Sequence, residues 1–229
     1  MTTKWADQPF ALIKETGYLS RQDIPDRQHP AIMIAQQMAL THNVILRGLN
    51  ASFNQCLSVS PKTKEAQDFL LFNQSLFEII HAHHTVEEEH MFVAIEKFTG
   101  VPGIMDNNLQ EHKDFHEGLE KYRQYIFETD ASDYDGQTLQ ALLEGFGKTI
   151  ELHLHNEIPT LVDLKDYDAA GLKAVASAAG KRFRSGNDFY RYGYSLASLG
   201  SSMSHHTSLF LSWILPLRHR KTALDIDSS

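Results

Sequence analysis

The 229-residue sequence predicts an all-α protein, an up-down-up-down antiparallel four-helix bundle with a C-terminal helical or irregular extension. Three observations predict it. Four long segments carry apolar residues at spacings of three and four, the period of one helix face. The breaks between them are short, which makes antiparallel neighbours the default. No strand-like alternation of any length and no internal repeat interrupts the pattern.

The elements follow in order. Residues 1–28 read as an irregular N-terminal segment, polar and broken by Pro9, Gly17 and Pro25. The first helix covers residues 30–57, with Pro30 suited to a first turn and Pro61 just past the end. The second covers residues 63–98 and stops before Gly100, Pro102 and Gly103. The third covers 104–128, and the Asp- and Ser-rich run 129–136 is a loop. The fourth covers 137–164. Pro159 is expected to kink or loosen its last turns, because the ring lacks an N–H and clashes with the preceding turn. A weaker fifth helix covers 168–182, and a Gly/Ser-punctuated tail follows with a short final helix as a candidate. The bundle is thus expected over 29–167, with an extension over 168–229 that packs on it.

Composition narrows the function classes. A formal net charge of −8 argues against nucleic-acid binding. The basic clusters Lys181-Arg182-Phe183-Arg184 and Arg218-His219-Arg220-Lys221 are short and read as solvated. No run approaches the roughly 18 apolar residues of a membrane span. The nearest, Ser208 to Leu217 with Phe210, Trp213, Ile214 and Leu215, is broken by Pro216 and reads as a packed tail or a docking surface. The N-terminus shows no basic region followed by an apolar run, so no secretory signal is expected. The single cysteine excludes a disulfide framework and fits a reducing compartment, so a cytoplasmic location is expected. Cys56 lies in an apolar helical stretch and reads as a small buried hydrophobe. No Gly-rich phosphate loop, Gly-x-Ser-x-Gly motif or Cys/His nucleophile pair is present.

The 13 histidines are the unusual feature. On the first helix the apolar stripe runs Ile34, Met38, His42, Ile45, Leu49, Phe53. On the second it runs Phe77, Ile80, His84, Glu88, Met91, Ile95. On the third it runs Met105, Leu109, His112, His116, Leu119, Tyr122, Ile126, and on the fourth Leu142, Phe146, Ile150, His153, Glu157, Leu161, Leu164. A buried imidazole or carboxylate is costly unless paired or bound to a metal. One such residue is ordinarily a satisfied core histidine, but seven on four helices need a common cause. His84/Glu88, His112/His116 and His153/Glu157 are each four apart, so each pair shares a helix face. At ~1.5 Å per residue, the seven return to about the same height after each turn of the chain. Five imidazoles and two carboxylates exceed the needs of one ion. Mixed nitrogen and carboxylate ligation in a bundle core points to two iron or manganese ions bridged by carboxylates. Such a pair is left one position short of six-coordination, and that opening would take dioxygen.

These residues carry a resemblance to the hemerythrin-like, or HHE cation-binding, family, in particular its fungal members. The matching stretches are His42-Asn-Val-Ile-Leu-Arg47, His83-His84-Thr-Val-Glu-Glu88-Glu89-His-Met-Phe92, Glu111-His112-Lys-Asp-Phe-His116-Glu-Gly-Leu119 and His153-Leu-His-Asn-Glu157. They occur in the family's order and cover about half the chain. The resemblance implies a non-haem di-iron centre (Fe2+/Fe3+ with a bridging oxo or hydroxo group). One iron would be held by three histidines, the other by two, with Glu88 and Glu157 bridging. The last pair has spacing four, where blood-type hemerythrins place an aspartate five after the histidine.

The remaining candidates are expected to lie off the site. His83, His90 and His155 read as surface histidines, Glu87 and Glu89 as solvated, and His81 as flanking the site. His83/Glu87 has the same spacing as His84/Glu88, and the stripe from Phe77 to Ile95 favours the latter. Glu78/His81 and Glu87/His90 match the Glu-x-x-His element of di-iron oxygenases, but both lie on one helix and read as coincidence. His205-His206 reads as part of a flexible polar tract. Two function classes remain open. The first is a dioxygen-binding protein, for oxygen handling, sensing or iron handling, favoured by the neutral ligand set. The second is an O2-dependent di-iron oxidase or oxygenase acting on a small organic substrate, favoured by the extension.

Overall fold

The computed structural model describes residues 5–14 and 29–185, with side chains described for 6–14 and 29–177. Four antiparallel rods build the bundle. The first is α1, Pro30–Gln55. The second is one rod in three pieces: α2, Lys64–Val86, then a π-helical turn, Glu87–Met91, then α3, Phe92–Thr99. The third is α4, Asp106–Glu128, and the fourth is α5, Gly136–Asp163. A 3-10 turn, Leu164–Asp166, leads to α6, Ala169–Ser185. The described residues contain no strand, in line with the predicted all-α class. α1 packs on α2 and α5, and α4 packs on α2 and α5, which closes the ring of an up-down-up-down bundle. No described helix is long and apolar enough to cross a membrane.

Local chemistry sets the helix ends. Pro30 opens α1 with its φ already helical. The Thr63 hydroxyl accepts from Ala66 N at 3.1 Å, and an Asp135 carboxylate oxygen accepts from Gln137 N at 2.9 Å. Each satisfies a backbone donor that a helix start leaves without a partner. Gly100 ends α3 at φ +69°, a left-handed conformation that a side chain would resist. α5 runs through Pro159 to Asp163 before tightening into the 3-10 turn, so the proline does not end the helix.

Two segments wrap the bundle. α6 packs on α1, α3 and the π turn. Gly171 allows this approach, because a Cβ there would meet the Phe98 ring at 2.0 Å. On the other side, residues 6–13 lie along α1 and α5 as a strap held by side-chain amides. The Asn50 amide accepts from Phe10 N at 2.8 Å and donates to the carbonyls of Ala6 and Phe10. Asn43 makes the same paired contact with Ile13 N and O. Glu151 and His155 of α5 take Ala11 N and O. Phe10 is thereby buried between the helices. The expected short final helix, Ser208 to Leu217, His205-His206 and Arg218 to Lys221 lie outside the described residues, as do the side chains of Lys181 to Arg184.

The core generates two expected outcomes. Asn50→Ala leaves the buried Phe10 N–H without its acceptor, which should cost roughly 1–3 kcal/mol. Denaturant unfolding should show that loss with an unchanged slope. Cys56 is fully buried, and burial pushes its thiol up to about 11, so the thiolate is absent at neutral pH. A disulfide-exchange reagent at pH 8 should label the unfolded chain fully and the folded chain orders of magnitude more slowly.

Candidate metal centre

Seven buried side chains meet at the middle of the bundle. α1 contributes His42, the end of α2 contributes His83 and His84, and the π turn contributes Glu87. α4 contributes His112, and α5 contributes His153 and Glu157. None is more than 7% exposed. They form two groups, His84/Glu87/His112/His153 and His42/His83/Glu87/Glu157. Within each group one ligand atom per residue lies within 4.8 Å of all the others. Glu87 belongs to both. Its Oε1 is 3.0 Å from His83 Nε2, and its Oε2 is 3.7 Å from His112 Nε2. In the second group His42 Nε2 is 3.2 Å from Glu157 Oε2.

The outer hydrogen bonds decide which nitrogens face inward. His42 Nδ1 lies 2.7 Å from the Leu154 carbonyl, which can only accept, so Nδ1 carries the proton and Nε2 presents its lone pair to the cluster. His112 Nδ1 donates to Glu88 Oε1 at 2.7 Å, and His153 Nδ1 donates to Glu111 Oε2 at 3.2 Å. His112 Nε2 and His153 Nε2 then face one another at 3.0 Å as two lone pairs. Neutral imidazoles so arranged cannot hydrogen-bond each other, and a cation between them resolves the clash. The Glu87 and Glu157 carboxylates and both nitrogens of His84 have no hydrogen-bond partner among the described residues. Native proteins rarely leave such groups unsatisfied. The donor set of five imidazoles and two carboxylates therefore fits a pair of divalent ions.

The electrostatics agree. Burial, reinforced by the neighbouring histidines, holds His83 and His84 well below the usual imidazole range. Burial and the His153 ring also lower His112. All three are neutral and ready to ligate at pH 7. Burial, then the Glu157 and Glu88 charges, pushes the Glu87 carboxyl well above its ordinary range. Partial burial would raise Glu111 as well, but hydrogen bonds from His153 and Asn156 outweigh it and keep that carboxyl below its usual range.

The structure brings together five of the seven residues expected from sequence: His42, His84, His112, His153 and Glu157. It does not bring in Glu88 or His116. The Glu88 side chain is 47% exposed and touches the site only through His112. His116 is on the exposed surface of α4, and Phe115 occupies the inward position instead, with its ring centroid 5.0 Å from that of His84 and 5.6 Å from that of His153. His83 and Glu87, expected at the surface, are buried in the cluster. The reason is angular. The buried face of α2 carries Leu76, Phe77, Ile79, Ile80, His83 and His84 and is centred near Ile80. At ~100° per residue, Glu87 falls about 20° from that centre and Glu88 about 80°. The π turn then rotates Phe92 and Ile95 back into the core. π turns of this kind are often found at functional sites. The paired apolar residues at 76/77 and 79/80 were the available signal for this face. On α4 the alternation Asn108, His112, Phe115, Leu119, Tyr122, Ile126 was the signal against His116. His81 stacks on Phe77 at the surface, and His155 binds the strap.

Glu87→Gln and His116→Ala separate the two ligand assignments. Glu87→Gln should abolish or halve the metal retained per chain, whereas His116→Ala should leave it unchanged. The raised Glu87 pKa means that the folded, metal-free chain loses stability as pH rises above the ordinary carboxylate range, where the unfolded carboxyl ionises freely. Glu87→Gln should therefore raise the melting temperature of the metal-free chain at pH 7. Each kcal/mol relieved should add about 2–4 °C.

Comparison with known proteins gives the family. The model of the Hemerythrin HHE cation binding domain matches residues 33–163. The chain is 33% identical over 171 residues to a dimeric xanthone biosynthesis cluster protein of Cryptosporiopsis sp. (strain 8999). The match covers 75% of this chain and 64% of that relative's length. No solved structure matches. With its four-helix bundle and a central His/Glu cluster able to bind metal, the chain belongs to the hemerythrin HHE cation-binding domain family.

Proposed function

We propose that the cluster holds two iron ions and binds dioxygen, with manganese as the other candidate metal. The observation that carries this reading is Glu87, one carboxylate common to both four-residue groups. His84, His112 and His153 would hold one ion, His42, His83 and Glu157 the other, and Glu87 both. The five-imidazole, two-carboxylate composition expected from sequence is retained, with His83 and Glu87 in the places of His116 and Glu88. Two irons so held would supply one electron each, reversibly, toward dioxygen. The chain's own residues set how far that chemistry goes. Neutral imidazoles stabilise the ferric state less than a carboxylate-rich set would, which favours reversible binding over oxidation. Phe115 and Phe92 pack against His84, His112 and His153 and keep bulk water from the three-histidine side. No nucleic acid or membrane partner enters this reading, and residues 29–167 would suffice for it.

A second reading is an O2-dependent oxidase or oxygenase acting on a small organic substrate. The name of the fungal relative favours it, because it places that relative in a cluster for the biosynthesis of a small organic molecule, a dimeric xanthone. α6, which opens the extension, packs on the π turn that bears Glu87 and is placed to shape a substrate-binding edge.

One experiment distinguishes the two. The purified chain is loaded with ferrous iron, reduced without oxygen, then exposed to air while its visible spectrum is followed. A band that forms in air and is lost under vacuum, at two irons per chain, is expected for reversible binding. Rapid irreversible oxidation would favour the enzyme. A chain that retains no iron would end both readings.

A further inference from the structure

Two carboxylates outside the cluster address the same half of it. Glu88 Oε1 accepts from His112 Nδ1 at 2.7 Å, and Glu111 Oε2 accepts from His153 Nδ1 at 3.2 Å. Both histidines belong to the group that also contains His84 and Glu87. The matching nitrogen of His42, in the other group, goes to a neutral acceptor, the Leu154 carbonyl, at 2.7 Å. Glu111 is itself fixed, because Asn156 Nδ2 donates to its second oxygen at 2.7 Å. α4 and α5 are therefore tied together at the level of the site by Glu111 alone among the three outer acceptors.

The charge distribution gives these contacts a purpose. The three-histidine group has only the shared Glu87 as an anionic member, whereas the other group has Glu87 and Glu157. A cation in the first group would be the poorer in negative charge. Carboxylates on the far nitrogens of its histidines correct this, because a charged acceptor makes the imidazole a more basic ligand and fixes its ring and tautomer.

We infer that Glu88 and Glu111 are positioning residues: they hold His112 and His153 with Nε2 toward the cation and supply the negative charge that the three-histidine half lacks. This rests on the reading that the cluster holds two ions. Its consequence is asymmetry. Removing the outer carboxylates weakens one ion of the pair and leaves the other unchanged, and the weakened ion becomes harder to oxidise.

The test uses the full chain, anaerobic ferrous iron and a chromophoric chelator as competitor. Glu88→Gln, Glu111→Gln, the double variant and Glu111→Ala are compared with the parent. Glutamine still accepts from Nδ1, so it removes charge while keeping position, and alanine removes both. Each glutamine variant should retain two ions at saturating iron, with one dissociation constant raised roughly 10- to 100-fold and the other unmoved. The midpoint potential of that one ion should shift positive, and Glu111→Ala should weaken it further. Melting of the metal-free chain should be unchanged in Glu88→Gln, whose side chain is half exposed, and should fall only slightly in Glu111→Gln, where Asn156 loses a charged acceptor. Unaltered constants and potentials in all four variants would overturn the inference. So would an equal fall in both constants with a lower melting temperature, which marks a general structural role. Loss of a whole ion in Glu88→Gln would make Glu88 a ligand. A parent chain that binds no iron would overturn the two-ion reading itself, and that outcome is visible before any variant is made.

Discussion

The Glu87 and Glu157 carboxylates lie fully inside a helical core, among five imidazoles and without a hydrogen-bond donor to either among the described residues. Taking a carboxylate out of water costs several kcal/mol even after relaxation. In an ordinary bundle these positions would be Leu or Ile, and the same helices would be more stable. Metal binding inverts the balance, because a divalent ion supplies at once the charge the carboxylates lack and the acceptor for the imidazole lone pairs. Binding free energy then becomes part of folding free energy.

The surrounding structure keeps that arrangement in one geometry. Apolar residues on both sides of the cluster, Ile80, Ile150 and Tyr122 toward one end and Ile95 and Leu161 toward the other, are buried and fix the spacing of the rods. The π turn is the local adjustment that allows Glu87 to face inward without turning Phe92 and Ile95 out of the core. The strap held by Asn43 and Asn50 covers the α1–α5 side. α6 closes the side of the π turn. The strap is attached by side-chain hydrogen bonds to α1 and α5, and α6 by close packing at Gly171 against Phe98.

Much of this was legible in the sequence, for physical reasons. Helix period and breakers such as Gly100, Pro30 and Asp135 act locally, so the four rods and the weaker fifth helix could be read from neighbours alone. His42, His84, His112, His153 and Glu157 stand out because each interrupts an apolar stripe at a position where any straight helix faces the core. His83 and Glu87 do not, because their placement depends on where the centre of a broad buried face falls and on a π turn whose extra residue has no local signature. His116 lies outside the cluster for the complementary reason. A four-residue spacing from His112 fits a helix face as well as the three-residue step to Phe115, and only packing against α5 and α2 chooses between them. The strap was illegible as well, since its pairing with Asn43 and Asn50 joins residues 30 and 40 positions apart.

The most direct measurement is anomalous diffraction at the iron absorption edge from crystals grown with ferrous iron. Two anomalous peaks in one bundle are expected, with the Glu87 carboxylate reaching both, His84, His112 and His153 around one and His42, His83 and Glu157 around the other. A single peak, or two peaks ligated by Glu88 and His116 with Glu87 turned to solvent, would contradict it.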